Sequence, residues 1–300
     1  MTEIILDLEW NGTHCASIGA YFNEIIEIGA VKMDARMQIV DEFHATIRPT
    51  VSKKLTSIVK NLTHITEEEL SRGTDFRTAF ARLAAWASEK PMALLTWSNT
   101  DLTVLLENLK YYQMGDTVSF ITHYADIQPY CQRRLGLDSS QQVSLENACE
   151  AAGIRRADTE WHRALDDSRL TALLLGKVYV GAGFAQILLE ANAEFYKRFS
   201  FKSVTLSDPN DPAIDKAAFR FTCPDCGKSL RAKGKFRYTH RAFCCELTCP
   251  ECHKKYMARV QCKRHYDGVN VRRKLSVKKE KPKPESGSEV SVCKTNSSAH

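Results

Sequence analysis

Apolar and polar positions alternate almost from the first residue. Ile4-Ile5-Leu6-Asp7-Leu8-Glu9 keeps a two-residue period and predicts a strand, with a loop expected at Asn11-Gly12. Glu24–Lys32 and Ile39–Ile47 are two further strand-like runs separated by a polar turn. The period then changes. Phe76, Phe80, Leu83 and Ala87 recur at helical spacing behind Asp75, a residue suited to an N-cap. Met92–Thr96 reads as a short strand, followed by a helix with Leu102, Leu105, Leu106 and Leu109 on one side. A strand is expected near Ser119–Asp126, then helices near Pro129–Leu135 and Leu145–Ala152, the second closed by Gly153. A largely apolar helix covers about Leu165–Val180. Strands first, then strands alternating with helices, predict an α/β fold with a mixed central sheet flanked by helices.

Beyond that body, Phe184–Phe199 reads as one more helix, and the breaker-rich Ser207–Pro212 marks a boundary. The expected organisation is a first domain over 1–182, a helix and linker over 183–216, and a small β-rich module over 217–275. The charged, Ser-rich stretch 276–300 is expected to be disordered.

Charge sharpens this division. The chain of 300 residues has a net charge of +6, yet residues 221–284 hold 18 Lys/Arg against 5 Asp/Glu. An acidic front and a basic back fit a catalytic body joined to a polyanion-binding element; a merely solvated basic tail is the plainer alternative. No apolar run approaches the roughly 18–20 residues that span a bilayer, so no membrane partner is expected. MTEIILDLEWNG brings in acids too early for a secretory signal, and the expected compartment is the cytoplasm.

Asp7 and Glu9, two apart on a strand, project from the same face as Ile5, while Leu6 and Leu8 enter the core behind. Side-by-side acids on an apolar strand are unfavourable unless a cation lies between them, and hard oxygen ligands suit Mg²⁺ or Mn²⁺. A solvated acidic edge is the alternative. Asp101, in Trp97-Ser-Asn-Thr-Asp101, falls where a strand ends and a helix begins, a common place for ligands and equally for a helix-favouring acid. Asp166 and Asp167 then head an apolar helix behind Trp161-His162. Five residues on a helix turn by about 140°, so His162 must sit at or before the first turn to share a site with Asp167.

With these residues in hand, the sequence resembles the DEDDh exonucleases of the ribonuclease T and proofreading superfamily. Asp7-Leu-Glu9 matches the first motif, Asp101 in WSNTD the second, and His162-Arg-Ala164-Leu-Asp-Asp167 the third. EIIEIGAVK, LTHITEEEL and SLENACEAAGI also look like the family, and the likeness runs over about residues 2–180. It implies a ribonuclease H-like sheet and 3′→5′ hydrolysis of single-stranded nucleic acid to 5′-mononucleotides. It further implies two Mg²⁺ or Mn²⁺ ions, which in such sites stabilise the attacking and leaving oxygens. In that assignment Asp7 bridges the ions, Glu9 and Asp167 hold the nucleophile-side ion, Asp101 supports the other, and His162 is the general base. Asp166 flanks the site. The motifs do not separate RNA from DNA, because the 2′-hydroxyl is sensed elsewhere; the expectation leans to RNA. A binding or regulatory protein that retains the fold is the competing reading.

The chain holds eleven cysteines, and seven fall within Cys223–Cys262. Thr222-Cys223-Pro-Asp-Cys226 and Thr248-Cys249-Pro-Glu-Cys252 are near-copies whose four thiolates suit one structural Zn²⁺ in a zinc-ribbon-like module. Cys244, Cys245, Cys262 and His265 are expected mostly to pack, with a second metal site as the alternative. Cys15, Cys131 and Cys149 read as core thiols. Between the knuckles, Arg231–Phe243 interleaves cations with aromatics, offering phosphate contacts and stacking faces, or else a small hairpin core.

Overall fold

Two long β-strands dominate the start of the chain because each is apolar on both faces of a sheet covered on both sides. The computed structural model describes residues 2–88, 92–138, 140–154 and 162–278; Trp161 and the stretch beyond 278 expected to be disordered lie outside them. The chain divides after Ser200 into two units.

In the first unit, β1 (Thr2–Cys15), β2 (Ala20–Met33) and β3 (Ile39–Thr46) form an antiparallel meander. Helices α1 (Ser57–Thr63), α2 (Glu67–Ser71) and α3 (Phe76–Trp86) lead to β4 (Met92–Thr96), which returns parallel to β1. Then come α4 (Asn99–Tyr111), β5 (His123–Asp126), α5 (Gln128–Leu135), α6 (Leu145–Ala151), α7 (Ala164–Val178), α8 (Gly181–Ala185), β6 (Leu189–Glu190) and α9 (Ala193–Phe199). The strand order β3-β2-β1-β4-β5-β6 makes the mixed sheet that the alternation predicts. Ile4, Leu6 and Leu8 pack with α3, α4 and α9 on one face. Ile5 and Val31 pack with α5, α6 and α7 on the other.

Three local expectations are corrected. β1 does not stop at Asn11-Gly12 but pairs with β2 through Cys15↔Ala20, with a register shift between Glu9 and Trp10. Asn11 is fully buried, accepting from the Thr56 N–H (2.9 Å) and donating to the Lys54 carbonyl (3.1 Å), so a turn-type residue serves as an internal bracket. The strand sought near Ser119 begins at His123. The single helix expected over Phe184–Phe199 is broken: Leu189–Glu190 adds to the sheet beside β5, and the Asn192 side chain caps a new helix by accepting from Phe195 N–H.

Gly29 fixes how α7 meets the sheet. An added Cβ there would lie 2.1 Å from the backbone of Ala164 and Leu165, so the helix start rests directly on β2. Ser168 Oγ ties the next turn to the Gly29 carbonyl at 3.0 Å. Gly29→Ala should therefore cost about 3 kcal/mol or more by overpacking, read as a lowered denaturant midpoint of the first unit.

The second unit contains β7 (Val204–Thr205), a 3₁₀ turn at Lys216–Phe219, β8 (Arg231–Ala232), β9 (Arg237–Thr239), β10 (Ala242–Thr248), β11 (Lys255–His265) and β12 (Gly268–Val277). Its main sheet runs β12-β11-β10-β8, with β7 on β11 and β9 on β10. The division falls ahead of the expected Ser207–Pro212 boundary because β7 pairs with β11, and Leu206 and Ile214 enter this core. Nor does order end at 275: β12 reaches Val277, and Lys278 N–H donates to the Lys255 carbonyl (2.9 Å). The aromatics of Arg231–Phe243 serve mainly as core. Phe243 is fully buried, Phe236 packs on Phe219 at 4.9 Å between ring centres, and half-exposed Tyr238 leans on Phe243. A unit this small has few other rings to bury.

Candidate active site

β4 accompanies β1 only from Thr2 to Ile5, so the flank of β1 beyond Ile5 has no strand beside it. Leu8 N–H points to that gap and donates to Asp101 Oδ1 at 3.3 Å. Asp101 is placed for this by the first turn of α4, which starts where the Ser98 side chain accepts from Thr100 N–H. Asp101 is 6% exposed.

Asp7 and Glu9 share the Ile5 face of β1, and Asp167 arrives from the first turn of α7. One carboxylate oxygen from each of these three lies within 4.8 Å of the others. Asp101 stands outside that trio but next to it, bonded to the residue after Asp7. Asp166 turns to Arg169 at 2.8 Å, and Arg169 also holds Glu42. His162 precedes α7 by two residues, is half-buried and has a left-handed backbone (φ 57°).

Glu27 and Arg163 supply a support that the sequence reading passed over. Glu27 sits on β2 opposite Glu9 and is 1% exposed. It receives Arg163 through Nε and Nη2 (3.1 and 2.6 Å), His44 Nε2 (2.7 Å) and the Ala164 N–H (3.0 Å). Arg163 also reaches Glu69 at 2.6 Å. A buried carboxylate thus seats both the residue after His162 and the start of α7. The missed signal was a lone arginine inside the third motif, which needs a buried acid as partner. Glu27→Gln should destabilise the first unit by about 3 kcal/mol, because Arg163 loses its main counter-charge. Misplacing His162 and Asp167 should also cut turnover by about 100-fold. A melt and a kcat measurement check the two effects.

Charge crowding defines the site's electrostatics. Burial, then Asp101, Asp167 and Glu9, hold Asp7 well above the usual carboxylate range. Burial, then Asp167 and Glu27, push Glu9 up to about 9. Burial raises Asp101 to about 7 despite the N–H groups it accepts, its own and that of Leu8. For Glu27, burial works upward, but hydrogen bonds from His44, Arg163 and Ala164 prevail and hold it at about 2. Glu9 is raised from an ordinary 4.5, so its contribution to stability is complete below 4.5 and is lost as pH rises through about 9. In EDTA the first unit should therefore melt at progressively lower temperature as pH climbs across that window, and added Mg²⁺ should restore most of the loss at the alkaline end. Three crowded, proton-retaining carboxylates fit hard divalent cations, which relieve the repulsion that otherwise favours protonation.

In the second unit, the sulfurs of Cys223, Cys226, Cys249 and Cys252 also lie within 4.8 Å of one another. The two knuckles fold alike. Gly227 N–H donates to the Cys223 carbonyl and His253 N–H to the Cys249 carbonyl, with both donors in left-handed backbone (φ 71° and 58°). The Tyr256 hydroxyl, itself bonded to Asp225, lowers the Cys223 thiol to about 6. Its neighbour Cys252 is pushed up to about 12, first by its sulfur neighbour Cys226 and then by burial. This set fits a thiophilic cation. Cys245 and Cys262 are buried and pack, Cys244 lies on the opposite face of β10 from Cys245, and His265 is exposed; no second thiol cluster forms among the described residues.

Comparison with known proteins gives this carboxylate-bearing fold its class. An exonuclease family model, RNase_T, matches residues 4–175, and the chain belongs to that family. Its first unit is a ribonuclease H-like exonuclease domain, and the protein is a hydrolytic nuclease. A probable 3′-5′ exonuclease, KapD, of Bacillus subtilis is 30% identical over 158 residues, covering 53% of this chain and 74% of that protein. ERI1 exoribonuclease 2 of Mus musculus is 29% identical over 202 residues, 58% of this chain but 28% of that protein, so the chain spans little more than a quarter of it. The nuclease domain of 3′hExo, a DEDDh family member solved with rAMP, superposes with a TM-score of 0.51 at 22% identity, covering 59% of this chain and 90% of that one, a likeness of fold.

Proposed function

We propose that the protein is a 3′→5′ exonuclease that removes 5′-mononucleotides from single-stranded ends, RNA before DNA. The observation that carries this is the convergence of Asp7, Glu9 and Asp167 oxygens to within 4.8 Å, with Asp101 bonded alongside. Divalent cations, Mg²⁺ or Mn²⁺, held by Asp7, Glu9 and Asp167 and supported by Asp101, would supply electrostatic stabilisation of the oxygens gained and lost at phosphorus. His162 takes the proton of the attacking water on its imidazole. Water oxygen bonds to phosphorus, the bond from phosphorus to the preceding 3′-oxygen breaks, and that oxygen takes a proton from solvent water to become a new 3′-hydroxyl. Glu27 and Arg163 keep His162 and Asp167 in register through the hydrogen bonds described above.

The RNA preference is supported by a relative named as an exoribonuclease. In the second unit, Cys223, Cys226, Cys249 and Cys252 hold one structural Zn²⁺, and the module adds affinity for substrate rather than chemistry. Matched single-stranded RNA and DNA labelled at the 5′ end test the reading. A descending ladder of products is expected in Mg²⁺, faster on RNA, and abolished by EDTA or a blocked 3′ end. Internal cleavage, or release indifferent to the 3′ block, overturns it.

A further inference from the structure

The alternation along β11 and β12 separates two faces. Tyr256, Ala258, Val260 and Cys262 point into the core, as do Val271 and Leu275 across from them. The intervening positions point outward, and there Lys255, Arg259, Lys263, Arg272, Lys274 and Lys278 are all exposed. Arg259 stands directly opposite Lys274, and Lys278 lies beside Lys255, where its N–H meets the Lys255 carbonyl. Like charges facing each other across a strand pair are unfavourable. The adjoining outward acid on β10, Glu246, is already engaged by Lys278 (2.5 Å) and approached by Lys233 (3.9 Å). The outward positions 255–263 of β11 and 270–278 of β12 carry no aromatic ring.

We propose that this outward face docks the phosphate backbone of a nucleic-acid duplex, through Lys255, Arg259, Lys263, Arg272, Lys274 and Lys278, without reading base sequence. It rests on the nuclease reading for the choice of polyanion. Phosphates relieve the cross-strand repulsion between Arg259 and Lys274, and the two-residue period of antiparallel strands presents the cations in rows. Surfaces that bind single strands pair cations with rings on which bases stack. Here the rings of this unit are largely inside, so the face suits a partner whose bases are already stacked. The partner that follows is a duplex, held by its paired backbone.

The test uses the full chain without added Mg²⁺ or Mn²⁺ and without chelator, where binding is read without turnover and the thiolate site keeps its metal. Its result therefore stands apart from that of the product-ladder assay. Affinity for a duplex and for a single strand is followed against salt concentration. The triple variant Arg259→Gln, Arg272→Gln, Lys274→Gln should flatten the logarithmic salt slope on the duplex by about 2–3 and weaken binding at least about 30-fold, with a smaller effect on the single strand. Arg272→Lys with Lys274→Arg, which keeps the charges, should bind duplex as the unsubstituted chain does. An unchanged duplex slope overturns the proposal. Equal losses on both nucleic acids, or a comparable loss in the charge-keeping variant, overturn it too.

Discussion

Asp7→Asn should lower mononucleotide release by at least about a thousandfold, roughly 4 kcal/mol of barrier, while leaving the protein folded. Its carboxylate is one of the three whose oxygens gather within 4.8 Å, and it carries the most crowded charge of the group. The amide keeps the shape and removes the charge that would attract cations. The same change should raise the melting temperature of the metal-free protein, because it removes a repulsion that the native state otherwise bears. Activity and stability thus move in opposite directions, which a folding defect could not produce. Asp166→Asn, one residue from a proposed ligand, breaks a half-exposed ion pair with Arg169 and should leave turnover within about twofold. Turnover of Asp7→Asn within tenfold of the unsubstituted chain would sink the assignment.

Stripping the thiolate site should have the next largest effect. A structural zinc contributes on the order of 10 kcal/mol to the folding of a small module, and this unit has a modest core to fall back on. Cys249→Ser, or a strong chelator, is expected to abolish the second unit's cooperative unfolding transition and its salt-dependent binding of nucleic acid. The first unit's transition should persist, since its described core residues all precede Phe201. Metal analysis should find one zinc per chain, retained in Cys262→Ser, whose buried thiol only packs. Two zinc per chain would require a second ligand cluster, which the described residues do not form.

The acids were legible in the sequence for a simple reason: a two-residue strand period and a helix start each fix a side-chain direction locally. Asp7 and Glu9 needed only β1, and Asp101 and Asp167 needed only their first turns. What the sequence hid depends on partners far along the chain. Asn11-Gly12 carries a turn signal, yet Asn11 is held by backbone more than forty residues away (Lys54 and Thr56), so the strand runs on. Glu27 looks like an ordinary strand acid until Arg163, 136 residues later, lands on it. Ser207–Pro212 is rich in breakers because it turns tightly, with Asp208 accepting from Asn210 N–H and Asp211 meeting Arg264. Turning and linking share a composition, so breakers alone do not say which of the two a segment does. Phe236 and Phe243 alternate with cations whether they face bases or each other, and only packing decides between the two.

The bond from Leu8 to Asp101 joins folding and chemistry in a single atom pair. An orphan amide on the central strand is satisfied by the very acid that completes the charged cluster, so docking the head of α4 and arming the site are one event. Any change that unseats the head of α4 should therefore disturb the strand and the acid beside the cluster together.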